Sequence, residues 1–103
     1  MKVKVNELHA KVLAGVNKLG YKGEDAQIIA NVLMYAQLRG NNQGITKIAT
    51  GGVPRAEDVE ELRLARENKC GALYSGGHTM VATSRAVEKA VELAGEYGVG
   101  VVG

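Results

Sequence analysis

The chain has 103 residues, enough for one domain or a domain and part of a second. Lys and Arg number 13 and Asp and Glu 11, so the net charge of +2 gives no bulk attraction to nucleic acid or another polyanion. Hydrophobic residues make up 46%, which excludes a disordered chain, and no apolar run approaches the roughly 20 residues that span a bilayer. Residues 1–20 are interrupted by Lys and Glu, so no secretory signal is expected and the cytoplasm is the default location. One Cys excludes an internal disulfide and a Cys-rich zinc site. Phe and Trp are absent, so Ala, Val, Leu and Ile must form the core. Such side chains pack closely but each buries little area.

Residues 6–19 are predicted as a first helix. Asn6 suits the N-cap, Leu8, Val12, Leu13, Val16 and Leu19 recur at helical spacing, and Gly20 follows as a stop. A second helix is predicted over 24–39, with Glu24 and Asp25 in its first turn, where the helix dipole favours negative charge. Ala26, Ile29, Leu33 and Ala36 form one apolar stripe and Ile28, Val32 and Tyr35 a neighbouring one. That wide apolar arc predicts a central helix. Residues 40–44 read as a tight polar turn, followed by a short helix over about 45–50 and a Gly51-Gly52 break. Pro54 suits the start of another helix, expected to run to about Asn68 with a heavily charged outer face.

The pattern then changes. Residues 70–74 form an apolar run of strand length, with Cys70 expected as a buried, inert thiol. A Ser75-Gly76-Gly77 turn leads to a helix over 80–96, with Val81, Val87, Ala90, Val91 and Ala94 expected inward. Residues 99–102 form a second apolar run. Strand, helix and strand make a βαβ unit with parallel strands and a right-handed crossover. The expected fold class is α/β: an N-terminal helical subdomain over 1–68 and a βαβ unit over 69–103 with an incomplete parallel or mixed sheet. Parallel sheets are normally covered on both faces. A two-stranded one is expected to be completed by other copies or by further chain, as in the front part of a longer protein.

Local motifs are weak. Residues 98–103 match G-x-G-x-x-G by letter, but that fingerprint needs a strand before it and a helix after it. Here a helix precedes, so a small-residue strand is expected. The turn over 75–79 precedes a helix N-terminus and offers amide groups to an anion, but the expected reading is an ordinary turn with Thr79 or a neighbour capping the helix. His78 is read as an exposed turn histidine and His9 as a surface or half-buried one. No metal set and no nucleophile–base pair stands out.

Three stretches together resemble the N-terminal part of the malate/L-lactate dehydrogenase family, the type-2 NAD(P)-dependent oxidoreductases without a classical Rossmann domain. They are residues 5–30, including the Gly20–Ala26 entry to the second helix, residues 31–40 ending in Leu-Arg-Gly, and residues 84–103. The resemblance implies a hydride-transfer enzyme for 2-hydroxy and 2-oxo acids, using NAD or NADP. It also places a Ser-His-Gly turn after Leu-Arg-Gly, with the His as acid/base, and an Arg beyond it. Anchored on Gly44, this chain has Asn42 and Gln43 in that turn and Lys47 in place of the Arg.

Gln43 stands where the family places its catalytic group, but an amide has no proton to lose near neutrality. Asn42 and Lys47 are the substrate-binding candidates, with Lys47 attracting a carboxylate without the bidentate fork of Arg. No cofactor-binding residue is identified and no metal is expected. The expected partner is a small 2-oxo or 2-hydroxy acid, with a homo-oligomer or a missing C-terminal part, and neither nucleic acid nor membrane. The chain is expected to be weak or inactive as it stands. A non-catalytic interaction or oligomerisation module, and a small anion-binding protein using the 75–79 turn, are the alternatives.

Overall fold

The structure is a computed structural model that describes residues 2–41 and 44–103. It divides into two compact units, Met1–Asp58 and Val59–Gly103.

The first unit is helical. Helix α1 (Val5–Lys18) packs on α2 (Gly23–Leu38), and α3 (Thr46–Thr50) follows after the turn at the end of α2. Val12 and Val16 of α1 are buried, as are Ala26, Ile29, Ala30, Leu33 and Met34 of α2. The two alanines let the helix axes approach. Ile29 and Leu33 fill the space, each contributing about 1.5–3 kcal/mol by removal from water. His9 Nε2 lies 2.9 Å from Asn31 Oδ1, a polar link between α1 and α2. The segment after α3 is tied back by two hydrogen bonds. Tyr21 donates its hydroxyl to the Pro54 carbonyl at 2.6 Å, and the Ala56 N–H donates to the Leu19 carbonyl at 2.8 Å. Burial, helped by the charge of Asp58, holds the Tyr21 phenol above its ordinary pKa.

Two helix details differ from the sequence reading. Helix α1 begins one residue earlier, with Lys4 at the N-cap, so Asn6 lies inside the helix and its Oδ1 accepts from the Glu7 N–H at 3.0 Å. In α2 only the Ala26–Ile29–Leu33 side is buried, whereas Val32 is 39% and Tyr35 60% exposed. One packed neighbour covers about one helix face, and among the described residues the second stripe is covered only in part, at half-buried Ile28.

The second unit holds the sheet. Strand β1 (Arg63–Glu67) pairs antiparallel with β2 (Gly71–Ser75), which pairs parallel with β3 (Val101–Val102). Helix α4 (Thr79–Tyr97) connects β2 to β3. The architecture is therefore α/β, with the expected βαβ unit inside a three-stranded mixed sheet. The helix expected from Pro54 to Asn68 is absent. A single 3-10 turn occupies Ala56–Asp58, and Arg63–Glu67 is a strand with a bulge between Leu64 and Arg66. Glu, Leu, Arg and Ala favour helices, but pairing with an apolar strand outweighs that preference. A tight turn makes the pairing local: the Asn68 N–H donates to the Gly71 carbonyl at 2.9 Å, and Asn68 Oδ1 accepts from the Cys70 N–H at 3.3 Å. Cys70 sits in this turn and is exposed, not buried.

The inward face of α4 also differs. Val81 and Leu93 are its buried positions, while Val87 and Val91 are exposed, as is Ala94. The sheet beneath is short, with β3 only two residues long, and covers a narrower strip of helix than the apolar pattern offered. Where β3 does meet α4, the approach is close. A Cβ on Gly100 would run into the Ala90 carbonyl oxygen and lie 2.9 Å from Leu93 Cβ. Only glycine fits there without displacing backbone.

On the other side of the unit, Lys89 Nζ is 2.6 Å from Glu67 Oε1 and 3.4 Å from Glu92 Oε1, tying α4 to β1. The hydrogen bond to Glu67 raises the Lys89 pKa above its ordinary 10.5, against an opposing push from burial.

Three outcomes follow from these contacts. Gly100→Ala should destabilise the protein by about 1–3 kcal/mol in denaturant titrations. Gly95→Ala, at an open site inside α4 with nothing near a new Cβ, should stabilise it by about 0.5–1 kcal/mol. A folded-state pKa raised above the unfolded value gives stability that is complete below pH 10.5 and lost as the pH rises beyond it. Lys89→Met should therefore lose less stability than the parent over that alkaline range, as thermal melts at increasing pH would record.

Candidate functional site

The candidate turn is built from the end of α2. The Arg39 and Gly40 N–H groups donate to the Ala36 and Gln37 carbonyls at 3.2 and 3.1 Å, and the Asn41 N–H donates to the Ala36 carbonyl at 3.0 Å. These bonds satisfy the last carbonyls of the helix and fold the chain back. Beyond residues 42 and 43, Gly44 is buried against α2. A Cβ there would lie 2.9 Å from Gln37 Oε1 and 3.0 Å from both the Gln37 nitrogen and the Leu33 carbonyl oxygen. Gln37 Oε1 also accepts from the Ile45 N–H at 3.3 Å. The turn is thus fastened at both ends, by backbone bonds before it and by the Gln37 side chain after it.

Gln37 is a residue that sequence reasoning missed. Its signal was a long amide in the last turn of an otherwise apolar helix, facing a glycine-flanked polar turn.

Lys47 lies in α3, three residues beyond Gly44, and its N–H donates to the Gly44 carbonyl at 3.1 Å. Its side chain is half-buried and packs beside Gly52, whose N–H donates to the Lys47 carbonyl at 2.8 Å. Among the described residues no carboxylate pairs with its ammonium group. Asn42 and Gln43, the other two candidates, lie outside the described residues. What the structure provides is the frame around them: a pinned entry at Asn41, a pinned exit at Gly44 and Ile45, and a cation one turn further on.

The other sequence motifs have structural explanations. His78 is buried, not exposed, and caps α4: its Nδ1 accepts from the Met80 N–H at 3.2 Å and its carbonyl accepts from the Ala82 N–H at 2.8 Å. Two amides of the first turn of α4 therefore have partners, and a ring nitrogen that accepts carries no proton. In the G-x-G-x-x-G match, Gly98 ends α4 and Gly100 is pressed against that helix. Neither glycine opens a helix toward a pyrophosphate, so this segment does not fit a dinucleotide. Among the described residues no group of three or more His, Cys, Asp or Glu is placed to hold a metal. No helix among them is long and apolar enough to cross a membrane.

Lys47 lines neither of two larger apolar concavities. One of about 420 Å³ lies between α4 and the sheet and is lined by Tyr74, Ala82, Ala86, Ala90 and Val102, among others. One of about 220 Å³ lies between α1 and α3, lined by Leu8, Val12, Gly15, Ile45 and Ile48 beside Lys11. Both are largely apolar, and neither brings together an acid and a base.

With this geometry in hand, the likeness to known proteins can be placed. No family model matches the chain. Malate dehydrogenase of Pyrococcus abyssi is 31% identical over 115 residues, covering 99% of this chain and 30% of that protein. Ureidoglycolate dehydrogenase (NAD(+)) of Escherichia coli strain K12 is 31% identical over 113 residues, covering 100% of this chain and 32% of that protein. Among solved structures, malate dehydrogenase from Pyrococcus horikoshii OT3 superimposes with a TM-score of 0.81 at 29% identity, over 99% of this chain and 31% of that one. The chain spans about a third of the length of the curated relatives it matches. The resemblance read from the sequence therefore holds in both sequence and fold: the chain is similar from end to end to the N-terminal part of these dehydrogenases.

The pinning of the turn is testable. Gln37→Ala should remove the acceptor for the Ile45 N–H, a loss of about 1 kcal/mol, and speed its amide hydrogen exchange about fivefold. Gly44→Val should do so more strongly, because its side chain cannot fit against Leu33 and Gln37. Unchanged exchange at Ile45 in both variants would show that the turn is held by something else.

Proposed function

We propose that this chain is a member or N-terminal portion of an NAD(P)-dependent oxidoreductase for 2-hydroxy and 2-oxo acids, and that its own part in the chemistry is to bind and orient the acid. The observation that carries this reading is likeness along the whole chain to two dehydrogenases whose names specify malate and ureidoglycolate, both 2-hydroxy acids. A two-part division belongs to the same proposal, a helical first part and a second part that starts the cofactor and substrate domain, with the boundary after Asp58 and not at 68, because Arg63–Glu67 joins the sheet. So does a cytoplasmic setting.

In this reading Lys47 pairs with the substrate carboxylate. Asn42 and Gln43 donate amide N–H groups to the 2-oxo or 2-hydroxy oxygen. Gln43 occupies the position of the acid/base histidine, and reduction of a 2-oxo acid needs a proton delivered to the carbonyl oxygen as hydride reaches the carbon. A carboxamide orients that oxygen but cannot protonate it near neutrality. Hydride would come from a reduced nicotinamide, and NAD is the cofactor named for the ureidoglycolate relative. The choice between NAD and NADP rests on residues that this chain does not identify. Weak or absent turnover is the expected state of the 103-residue chain.

A second reading, a non-catalytic assembly module, is favoured by a specific feature. Leu73 of β2 and Val101 of β3 are 49% and 70% exposed, which leaves apolar sheet surface open in the second unit.

Titrating isotopically labelled chain with a panel of 2-oxo acids separates the two. The dehydrogenase reading predicts NMR shifts centred on Asn41–Lys47, and Lys47→Ala should weaken binding about tenfold or more by removing a charge-assisted contact. The same mixtures with NADH or NADPH should show little or no loss of nicotinamide absorbance. Turnover at ordinary enzyme rates would overturn the inactive state assigned to Gln43. Absence of any shift in the turn would overturn the binding role.

A further inference from the structure

The groove between α1 and α3 leaves room that the packing of the first unit does not use. Its volume is about 220 Å³, and it is lined by Leu8, Val12 and Gly15 of α1 and by Ile45 and Ile48 of the α3 segment, with Lys11 among them. Val12 is buried, but Leu8, Gly15, Ile45 and Ile48 are only half-buried, so apolar side chains stand partly in water there. A cavity of about 150 Å³ with Leu, Ile and Phe walls is enough to take up benzene. The groove therefore has space for an apolar body of about one ring.

Gly15 keeps that space open. It lies in the interior of α1, where glycine weakens a helix relative to alanine. Its φ is not positive, and a Cβ there would meet only Ile48 Cγ2 and Cδ1, at 3.6 and 3.7 Å, which is ordinary contact. Neither the backbone nor the neighbours require a glycine, whereas a longer side chain would fill the groove. The lining also has a definite chemistry. Lys11 is its one charged residue, and among the described residues no carboxylate pairs with that ammonium group. Apolar walls with a single cation complement an amphiphile with an anionic head. One ammonium matches the single charge of a carboxylate better than the nearly double charge of a phosphate.

We propose that this groove is a binding site for an apolar monocarboxylate about the size of phenylacetate, with its hydrocarbon body against Val12, Ile45 and Ile48 and its carboxylate at Lys11. The far wall is shared with the candidate turn, because Gln37 Oε1 holds the Ile45 N–H and Lys47 lies between Ile45 and Ile48. A ligand seated here clamps α3 against α1 and steadies that turn. Nothing in this inference depends on the dehydrogenase reading. Phenylacetate has neither a 2-oxo nor a 2-hydroxy group, so the two can fail separately.

NMR titration of the whole labelled chain with phenylacetate is the test, with 2-phenylethanol as the uncharged counterpart and acetate as the head group alone. Phenylacetate should shift the signals of Leu8, Val12, Gly15, Ile45 and Ile48 and slow amide exchange at Ile45. It should bind about three- to fivefold more tightly than 2-phenylethanol, and the preference should shrink as salt is raised. Acetate should leave these signals in place at the same concentrations. Lys11→Met keeps an unbranched apolar stem without the charge, and should abolish the preference while leaving 2-phenylethanol binding unchanged. Gly15→Leu should fill the groove and remove binding of both compounds while raising the melting temperature, since leucine is the better helix former. If that variant misfolds, Lys11→Met and the comparison of acid with alcohol still decide the matter. Absence of shifts with phenylacetate would overturn the proposal, as would shifts at the turn with none at Leu8, Val12 or Gly15. Equal affinity for acid and alcohol, a preference that survives in Lys11→Met, or unaltered binding in a folded Gly15→Leu would each overturn it too.

Discussion

The burial of one side of α2 is the constraint on which the first unit depends. Ile29 and Leu33 are fully enclosed, with Ala26, Ala30 and Met34 beside them, and α1 closes over that side with Val12 and Val16. Fixing one face of a helix fixes everything else it carries. Its C-terminal carbonyls hold Arg39, Gly40 and Asn41 in a return turn, and Gln37, on its last turn, grips Ile45. The position of Lys47 follows, because α3 starts from that grip. The groove between α1 and α3 is set by the same packing, because both of its walls are fixed to α2. One packing event therefore places both the candidate substrate turn and the candidate ligand groove.

In the proposed reading, the turn serves recognition more than proton transfer: the half-buried Lys47 ammonium attracts the substrate carboxylate, and the Asn42 and Gln43 amides satisfy its carbonyl oxygen. A carboxamide does not exchange a proton near neutrality in the way an imidazole does. In the proposed reading, the exchange of histidine for Gln43 thus separates substrate orientation from catalysis. The surroundings of α4 agree in character: two of its first-turn amides are engaged by His78, and Gly100 beyond it is a packing residue.

Much of this was legible in the residues, and the failures have physical causes. The first two helices, the short α3, the β2–α4–β3 unit and the polar turn were readable because period and punctuation agree there. The β1 strand was not. Residues 63–67 carry strong helix formers, and only pairing with the adjacent strand β2 across the turn at Asn68 makes them a strand. The second stripe of α2, and Val87 and Val91 of α4, were read as core because a hydrophobic pattern shows what can be buried and not what arrives to bury it. Asn42 and Gln43 were identified from the resemblance alone. The role of Gln37 becomes visible only when the turn closes against it.

The proposed function depends most on a turn that recognises a 2-oxo acid with Gln43 in place of a histidine. Calorimetric titration of the chain with oxaloacetate, repeated in buffers of different ionisation enthalpy, measures this directly. The account predicts binding with the same heat in each buffer, because no proton is taken up or released. Heat that scales with buffer ionisation would reveal a proton carrier in the site and contradict it, and so would the absence of binding heat in every buffer.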